Sequence, residues 1–239
     1  MRLDKFLADC GIGTRSEIKK IIKNGYIDVF GKEKVRPETQ IDENCDKIFA
    51  YGNQLVYKKY VYLMLNKPGG YVSAVWDARH PYVLELVPEE YLHYEPFPVG
   101  RLDIDTEGLL ILTNDGDLSH RLLSPKSHVP KTYYAKVEGV VTQDDCIKFK
   151  EGILLDDGYF TKPAELKIIK SGEISEIEVI VVEGKFHQIK RMFEAVGKKV
   201  IYLKRISMNG LKLDEKLELG EVKEISEKEF KQLSVGKDE

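Results

Sequence analysis

The sequence predicts an α+β protein: a small α/β module, then a larger domain built on a mostly antiparallel mixed sheet. Three observations predict it. Helix-period apolar spacing dominates the first 25 residues. Beyond them come short apolar or alternating runs at 62–65, 109–113, 133–137 and 177–182. Only two short helical stretches interrupt those runs, which is the pattern of strands with helices set among them. A chain of 239 residues has room for one large domain plus a small module, and the division is expected at 1–58 and 59–239.

Leu3, Phe6, Leu7 and Cys10 recur at the spacing of one buried helical face. Gly11 and Gly13 interrupt that face, and Thr14-Arg15-Ser16-Glu17 then reads as a capping box opening a second helix. Ile18, Ile21 and Ile22 form the apolar side of this helix, and Asn24-Gly25 supplies its left-handed stop. Arg15, Lys19, Lys20 and Lys23 fall on the opposite side as a continuous basic arc. Such an arc either attracts phosphates or is simply a solvated face. A short strand, Tyr26-Ile27-Asp28-Val29, and a turn near Gly31-Lys32 follow. Residues 46–57 alternate weakly and complete the module, with Lys58-Lys59-Tyr60 as linker.

Tyr62-Leu63-Met64-Leu65 is too apolar for a surface strand and belongs inside a sheet; Lys67-Pro68-Gly69-Gly70 ends it with turn chemistry. Strands are expected at Leu109–Thr113, Tyr133–Val137 and Ile177–Val182. In the last, Ile177, Val179 and Val181 alternate with Glu176 and Glu178. Helices are expected at Asp117–Leu123, with Asp117 as its N-cap, and at His187–Val196, closed by Gly197. From about Leu213 the Lys/Glu-rich end reads as a surface strand and a frayed tail.

The formal net charge of −3 argues at first against a nucleic-acid partner. Its distribution changes that. Residues 211–239 hold six Lys against nine Asp/Glu, and the remaining 1–210 balance at 31 to 31. RNA binding would therefore use local basic faces. No apolar run is long enough to span a bilayer. Residues 1–5, MRLDK, lack the apolar core of a secretory signal. The three cysteines, Cys10, Cys45 and Cys146, are odd in number and widely spaced, which argues against a disulfide framework and CxxC metal chemistry. A cytosolic setting of bacterial type is the simplest reading.

Three clusters carry possible chemistry. In GRLDIDTEG, 100–108, Arg101 sits beside Asp103 and Asp105 in a loop bounded by glycines. Three readings stay open there: Asp103 as a nucleophile; Asp103 and Asp105 joining Asp115 and Asp117 around a metal; or acids that merely cap turns. The metal reading is the weakest, because a strand separates the pairs and no His or Glu set has ligand spacing. In EGKFHQIKR, 183–191, Lys185, His187, Lys190 and Arg191 crowd a helix start. The dipole disfavours cations at that end, so the cluster makes sense beside an anion, phosphate or carboxylate. In KTYYA, 131–135, Tyr133 opens a strand, as a half-core residue or as a stacking platform for a base.

Residues 2–32, RLDKFLADCGIGTRSEIKKIIKNGYIDVFGK, resemble the S4 RNA-binding domain. VGRLDIDTEGLLILTNDGDLSHRLLSPKSHVPKTYYAKVEG, LNKPGGYVSA and EGKFHQIKRMFEAVG together resemble the ribosomal small-subunit pseudouridine synthase A family. The resemblance runs from about Arg2 to Leu211. It implies an enzyme that breaks the bond from ribose to N1 of uracil, turns the base, and rejoins ribose to C5, with no metal or organic cofactor. It implies Asp103 as nucleophile, Tyr133 as the ring stacked on the target uracil, and Lys190 as the cation paired with Asp103. Arg191 stands next to Lys190, and related branches carry arginine at the Lys190 position. Attack on ribose C1′, attack on uracil C6 and removal of a ribose proton all remain open as the first step. Tyr82 departs from similar sequences, which more often carry threonine there.

The resemblance further implies a monomeric enzyme whose partner is ribosomal RNA or an assembling small ribosomal subunit, with no role for a membrane. Arg101, His187, Lys185 and Arg191 are candidate RNA contacts in the cleft, and Arg15, Lys19, Lys20 and Lys23 in the S4-like module. The target base must leave its stack, at a cost of a few kcal/mol, roughly. Stacking on Tyr133 would offset about 1–3 kcal/mol of that. Three rivals are a synthase acting on large-subunit RNA, an S4-type ribosome assembly factor without catalysis, and a metal-dependent RNA hydrolase.

Overall fold

The computed structural model describes residues 1–234 and divides them into two compact units, Met1–Val61 with Pro88–Glu95, and Tyr62–Val87 with Pro96 onward.

The first unit holds helices α1 (Leu3–Asp9) and α2 (Arg15–Lys23) and strands β1 (Ile27–Val29), β2 (Ile48–Ala50) and β3 (Asn53–Gln54), which pair antiparallel in that order. A short helix, α3 (Glu89–Leu92), also belongs to it. The capping box forms as the sequence predicts. Thr14 Oγ1 accepts from the Glu17 amide at 3.4 Å, and the Glu17 carboxylate accepts from the Thr14 amide at 2.8 Å. Leu3, Phe6 and Leu7 of α1 meet Ile18 and Ile22 of α2 and Ile27, Val29 and Ile48 of the sheet in one core. Burying one side of α2 leaves Arg15, Lys19, Lys20 and Lys23 exposed on the other.

The second unit begins with β4 (Tyr62–Lys67), a 3-10 turn at Val83–Leu86, β5 (Phe97–Pro98) and β6 (Glu107–Thr113). It continues with α4 (Gly116–Leu123), β7 (Lys131–Glu138), α5 (Gln143–Glu151), β8 (Glu165–Lys170), β9 (Ile174–Val181) and α6 (Gln188–Ala195). Last come β10 (Lys199–Met208), β11 (Leu211–Lys212), β12 (Val222–Glu224) and α7 (Glu227–Ser234). Among the described residues the sheet runs β12-β4-β6-β10-β7-β9-β8, with β5 on β6 and β11 on β10. Of these strand pairings only β6–β10 is parallel, so the sheet is mixed and mostly antiparallel.

Burial explains the sequence patterns. From Leu63 to Lys67 and from Gly108 to Thr113 every residue is buried, because both sheet faces are covered there. In β9 Ile177, Val179 and Val181 are buried and their neighbours half-exposed, the signature of one solvated face. β9 lies between β7 and β8, so its pattern marks a face, not an edge. Phe149 of α5 and Phe193 of α6 pack with ring centroids 4.8 Å apart.

Two expectations are corrected. Asp115, not Asp117, caps α4: its Oδ1 accepts from the Leu118 amide at 3.0 Å, and its Oδ2 accepts from the Tyr62 hydroxyl at 2.9 Å. The surface strand expected after Leu213 is β12 on the edge of the sheet, but the chain beyond it is not frayed at once: it forms a docked α7, whose Leu233 is fully buried and whose Phe230 packs on Tyr62 at 4.4 Å. The apolar spacing of Phe230 and Leu233 is too brief to stand out among Lys and Glu. The frayed end itself, 235–239, lies outside the described residues. Among the described residues no helix is long and apolar enough to cross a membrane.

Candidate active site

The site is built on the parallel meeting of β6 and β10. There Gly108 lies opposite Arg205, and a Cβ on Gly108 would stand 2.2 Å from the Arg205 carbonyl oxygen. Gly108 also holds φ at +99°, a backbone state that favours glycine. The segment before it, Gly100–Thr106, lies outside the strands and forms the loop that carries Asp103.

Lys67, at the end of β4, holds this loop from beneath. Its side chain is fully buried, and Nζ donates toward the carbonyl oxygens of Thr106 at 2.9 Å, Pro68 at 3.0 Å, Asp103 at 3.1 Å and Ile104 at 3.3 Å. Burial pushes its pKa down to about 8, while the Asp105, Asp103 and Glu107 carboxylates pull it back up. Ser73 Oγ donates to the Leu102 carbonyl and accepts from the Leu102 amide, both at 3.0 Å. The Thr106 amide donates to the Asp103 carbonyl at 3.0 Å, closing a tight turn over Asp103. The backbone around Asp103 is thus anchored on three sides.

The carboxylate points into a recess lined by Arg101, Leu102, Asp103, Tyr133, Lys185 and His187. Ile189 and Leu203 line its narrower part, and Lys131 and Arg205 line the wider part. The Asp103 side chain is 28% exposed, with Lys190 Nζ at 3.5 Å from Oδ2 and His187 Nε2 at 3.8 Å from Oδ1. Lys190 sits still closer to Asp105 Oδ1, at 2.6 Å. Burial opposes ionisation of Asp105, and the Lys190 hydrogen bond and charge outweigh it, so its pKa falls below the usual carboxylate range.

The basic segment before α6 is held by a polar network. Glu183 accepts from the Tyr159 hydroxyl at 2.7 Å, the Gln188 amide side chain at 2.8 Å and the Lys162 backbone at 2.9 Å. Gln188 in turn accepts from the Lys185 amide at 3.0 Å. His187 takes a left-handed conformation, φ +49°, immediately before α6, with Phe186 stacked on its ring at 3.8 Å. Lys185 lies over the Tyr159 ring at 4.4 Å.

The structure therefore gathers Asp103, Tyr133, Lys190, Arg101, Lys185 and His187 around one recess. It draws Arg191 elsewhere. Its guanidinium pairs with Asp156 and with Asp157, the latter at 2.7 Å, and does not line the recess. Arg15, Lys19, Lys20 and Lys23 belong to the first unit. Sequence reasoning missed Lys67, Lys131, Glu183 and Arg205 as site residues. For Lys67 there was one signal: a charged residue closing an otherwise apolar inner strand needs buried partners.

Residues 61–195 match the family model for RNA pseudouridylate synthase, more than half of the chain. The chain belongs to that family. It is 45% identical over 232 residues to the uncharacterized RNA pseudouridine synthase YtzG of Bacillus subtilis, covering 96% of this chain and 97% of the relative. It is 37% identical to the ribosomal small subunit pseudouridine synthase A of Vibrio vulnificus, covering 96% and 98%. It is 36% identical to the ribosomal large subunit pseudouridine synthase B of Bacillus subtilis, covering 97% and 95%. A solved pseudouridylate synthase superposes with a TM-score of 0.68 at 36% identity, covering 98% and 99%. This RNA pseudouridine synthase thus has its relatives' length and fold, with the anchored Asp103 loop inside the matched segment.

Proposed function

We propose that this enzyme isomerises a uridine of small-subunit ribosomal RNA to pseudouridine, with Asp103 as the nucleophile. The observation that carries it is the placement of Asp103. Its backbone is locked by Lys67, Ser73 and Thr106, and its carboxylate opens into a recess walled by Tyr133. Fixing the attacking group before substrate arrives removes an orientational cost from the chemical step. Lys190 stands 3.5 Å from the carboxylate and orients it within the recess.

A flipped uracil enters the narrower part of the recess and lies between the Tyr133 ring and the Ile189 and Leu203 side chains. With Asp103 engaged, the C1′–N1 bond breaks, the base turns within the recess, and C1′ bonds to C5. The hydrogen on C5 leaves as a proton and the freed N1 takes one up, so the reaction is an isomerisation with no net change in oxidation. The first unit acts as an S4-type RNA-binding module, and the exposed basic side of α2 holds RNA through its phosphates.

Small-subunit RNA is favoured by the resemblance of SHRLLSPKSHVPKTY, 119–133, to the small-subunit type. The relative named for the large subunit is nearly as similar, which keeps large-subunit RNA as the second reading. The deciding experiment is tritium release from 5-tritiated uridine in small- and large-subunit transcripts, comparing the intact enzyme with Asp103→Asn. Bond formation at C5 must expel the label. Release from small-subunit RNA alone, absent in the variant, is expected. Release from large-subunit RNA alone would replace the substrate, and release by Asp103→Asn would remove Asp103 from its role.

A further inference from the structure

Lys131 and Arg205 form a second cationic centre in the recess, apart from the Asp103–Lys190 pair. Lys131 and Tyr133 stand two residues apart on β7 and so share one face of the sheet. Arg205 on β10 pairs directly with Tyr133 across the ladder, which places its side chain on that face as well. All three line the wider part of the recess together with Asp103.

The two cations are poorly compensated. Arg205 is 2% exposed; its Nε donates to the Leu109 carbonyl at 2.8 Å, while its Nη2 is buried with no hydrogen-bond partner. Lys131 Nζ donates to the Val129 carbonyl at 3.0 Å. Among the described residues neither is ion-paired with a carboxylate, and the Arg205 charge acts against that of Lys131. Setting two cations together at a partly buried site is unfavourable on its own. An anion seated between them would reverse that balance, and a guanidinium beside an ammonium matches the oxygens of a phosphate.

We propose that Lys131 and Arg205 seat a phosphodiester of the RNA backbone next to the nucleotide being isomerised. The inference rests on the reading of this recess as the catalytic site. With the uracil in the narrower part against Tyr133, the adjoining backbone lies in the wider part, where both cations are. The seat fixes the position of the flipped nucleotide by its backbone, independently of what Tyr133 and Asp103 do to the base.

The test measures binding of a short fluorescent oligouridylate to the intact enzyme, Lys131→Gln and Lys131→Arg across a salt series. Loss of one phosphate contact lowers the slope of log affinity against log salt by about 0.7 for a single strand. Lys131→Gln is expected to bind severalfold more weakly with that smaller slope, and Lys131→Arg to restore both. Thermal melting of Lys131→Gln should equal or exceed that of the intact enzyme, because a repulsion has been removed. Weaker binding with an unchanged slope would mean a base or ribose contact and would overturn the proposal. An unchanged affinity, or a lower melting temperature, would overturn it equally. Tritium release by the intact enzyme, assayed alongside, tests the catalytic reading separately: failure there with a changed slope leaves a phosphate seat in a recess that does other work.

Discussion

Lys190 stands nearer to Asp105 than to Asp103, 2.6 Å against 3.5 Å, although the family resemblance pairs it with Asp103. One ammonium is therefore shared between two carboxylates only two residues apart. Asp105 is 66% exposed, and an ion pair with an exposed acid contributes about 0–1 kcal/mol. Lys190 itself is mostly covered, so its stem stays beside the loop when Asp105 is changed and only the ammonium is free to turn. Asp105→Asn should release Lys190 toward Asp103 and leave single-turnover tritium release at or above the intact rate. Lys190→Met removes the orienting cation and should slow the same step by about a hundredfold. Equal losses in both variants would instead make Asp105 the residue that positions Lys190.

If Asp103 is the nucleophile as proposed, Lys67 should support both stability and the chemical step. Lys67→Met keeps the shape of the side chain but strips hydrogen bonds from four loop carbonyls. Leaving such acceptors unsatisfied should cost about 2–4 kcal/mol in urea unfolding. Well below the unfolding midpoint, tritium release should fall far more than the fraction folded does, since the same bonds fix Asp103. A loss of activity that merely tracks unfolding would show that the loop holds its place without Lys67.

Much of this arrangement was legible in the residues. The capping box at Thr14 and Glu17, the unbroken apolar runs of β4 and β6, and the alternation in β9 are local patterns, and local patterns predict local structure. Arg191 was not legible in that way. Its partners Asp156 and Asp157 lie 35 and 34 residues upstream, and only the folded sheet brings them within reach. The choice of Lys190 between Asp103 and Asp105 depends on the turn geometry of the loop, which spacing does not encode. Lys131 and Arg205 meet through the β7–β10 ladder, a pairing between residues more than seventy apart in sequence.

Gly108, inside β6, and Gly116, at the start of α4, make a contrasting pair. Gly108→Ala drives a Cβ to 2.2 Å from the Arg205 carbonyl and strains a backbone at φ +99°, so β6 and β10 must part. A loss of about 3 kcal/mol or more is expected, with Arg205 displaced from the recess. Gly116, in the first turn of α4, has ordinary φ and open space around its Cβ position. Gly116→Ala should be neutral or stabilise by about 0.4–1 kcal/mol. Chemical denaturation of both variants checks the contrast, and comparable losses would contradict it.

Lys131 should make RNA binding sensitive to pH on the alkaline side. Burial lowers its pKa to about 8, and the charge of Arg205 acts in the same direction. Arg205 faces it from β10, and Asp77, Arg101, Asp103, Lys185 and His187 share the recess. Below this pKa Lys131 is a cation; above it the side chain is neutral and offers a phosphate no charge. A bound phosphodiester favours the charged form, so binding takes up a proton at Lys131, and affinity is present at neutral pH and lost as pH rises through about 8. Oligouridylate affinity at constant ionic strength should fall severalfold from about pH 7 to about pH 9 in the intact enzyme. Lys131→Arg keeps its charge across that window and should hold its affinity nearly level. A decline of the same size in both proteins would assign the titration to another group in the recess and leave Lys131 without a part in it.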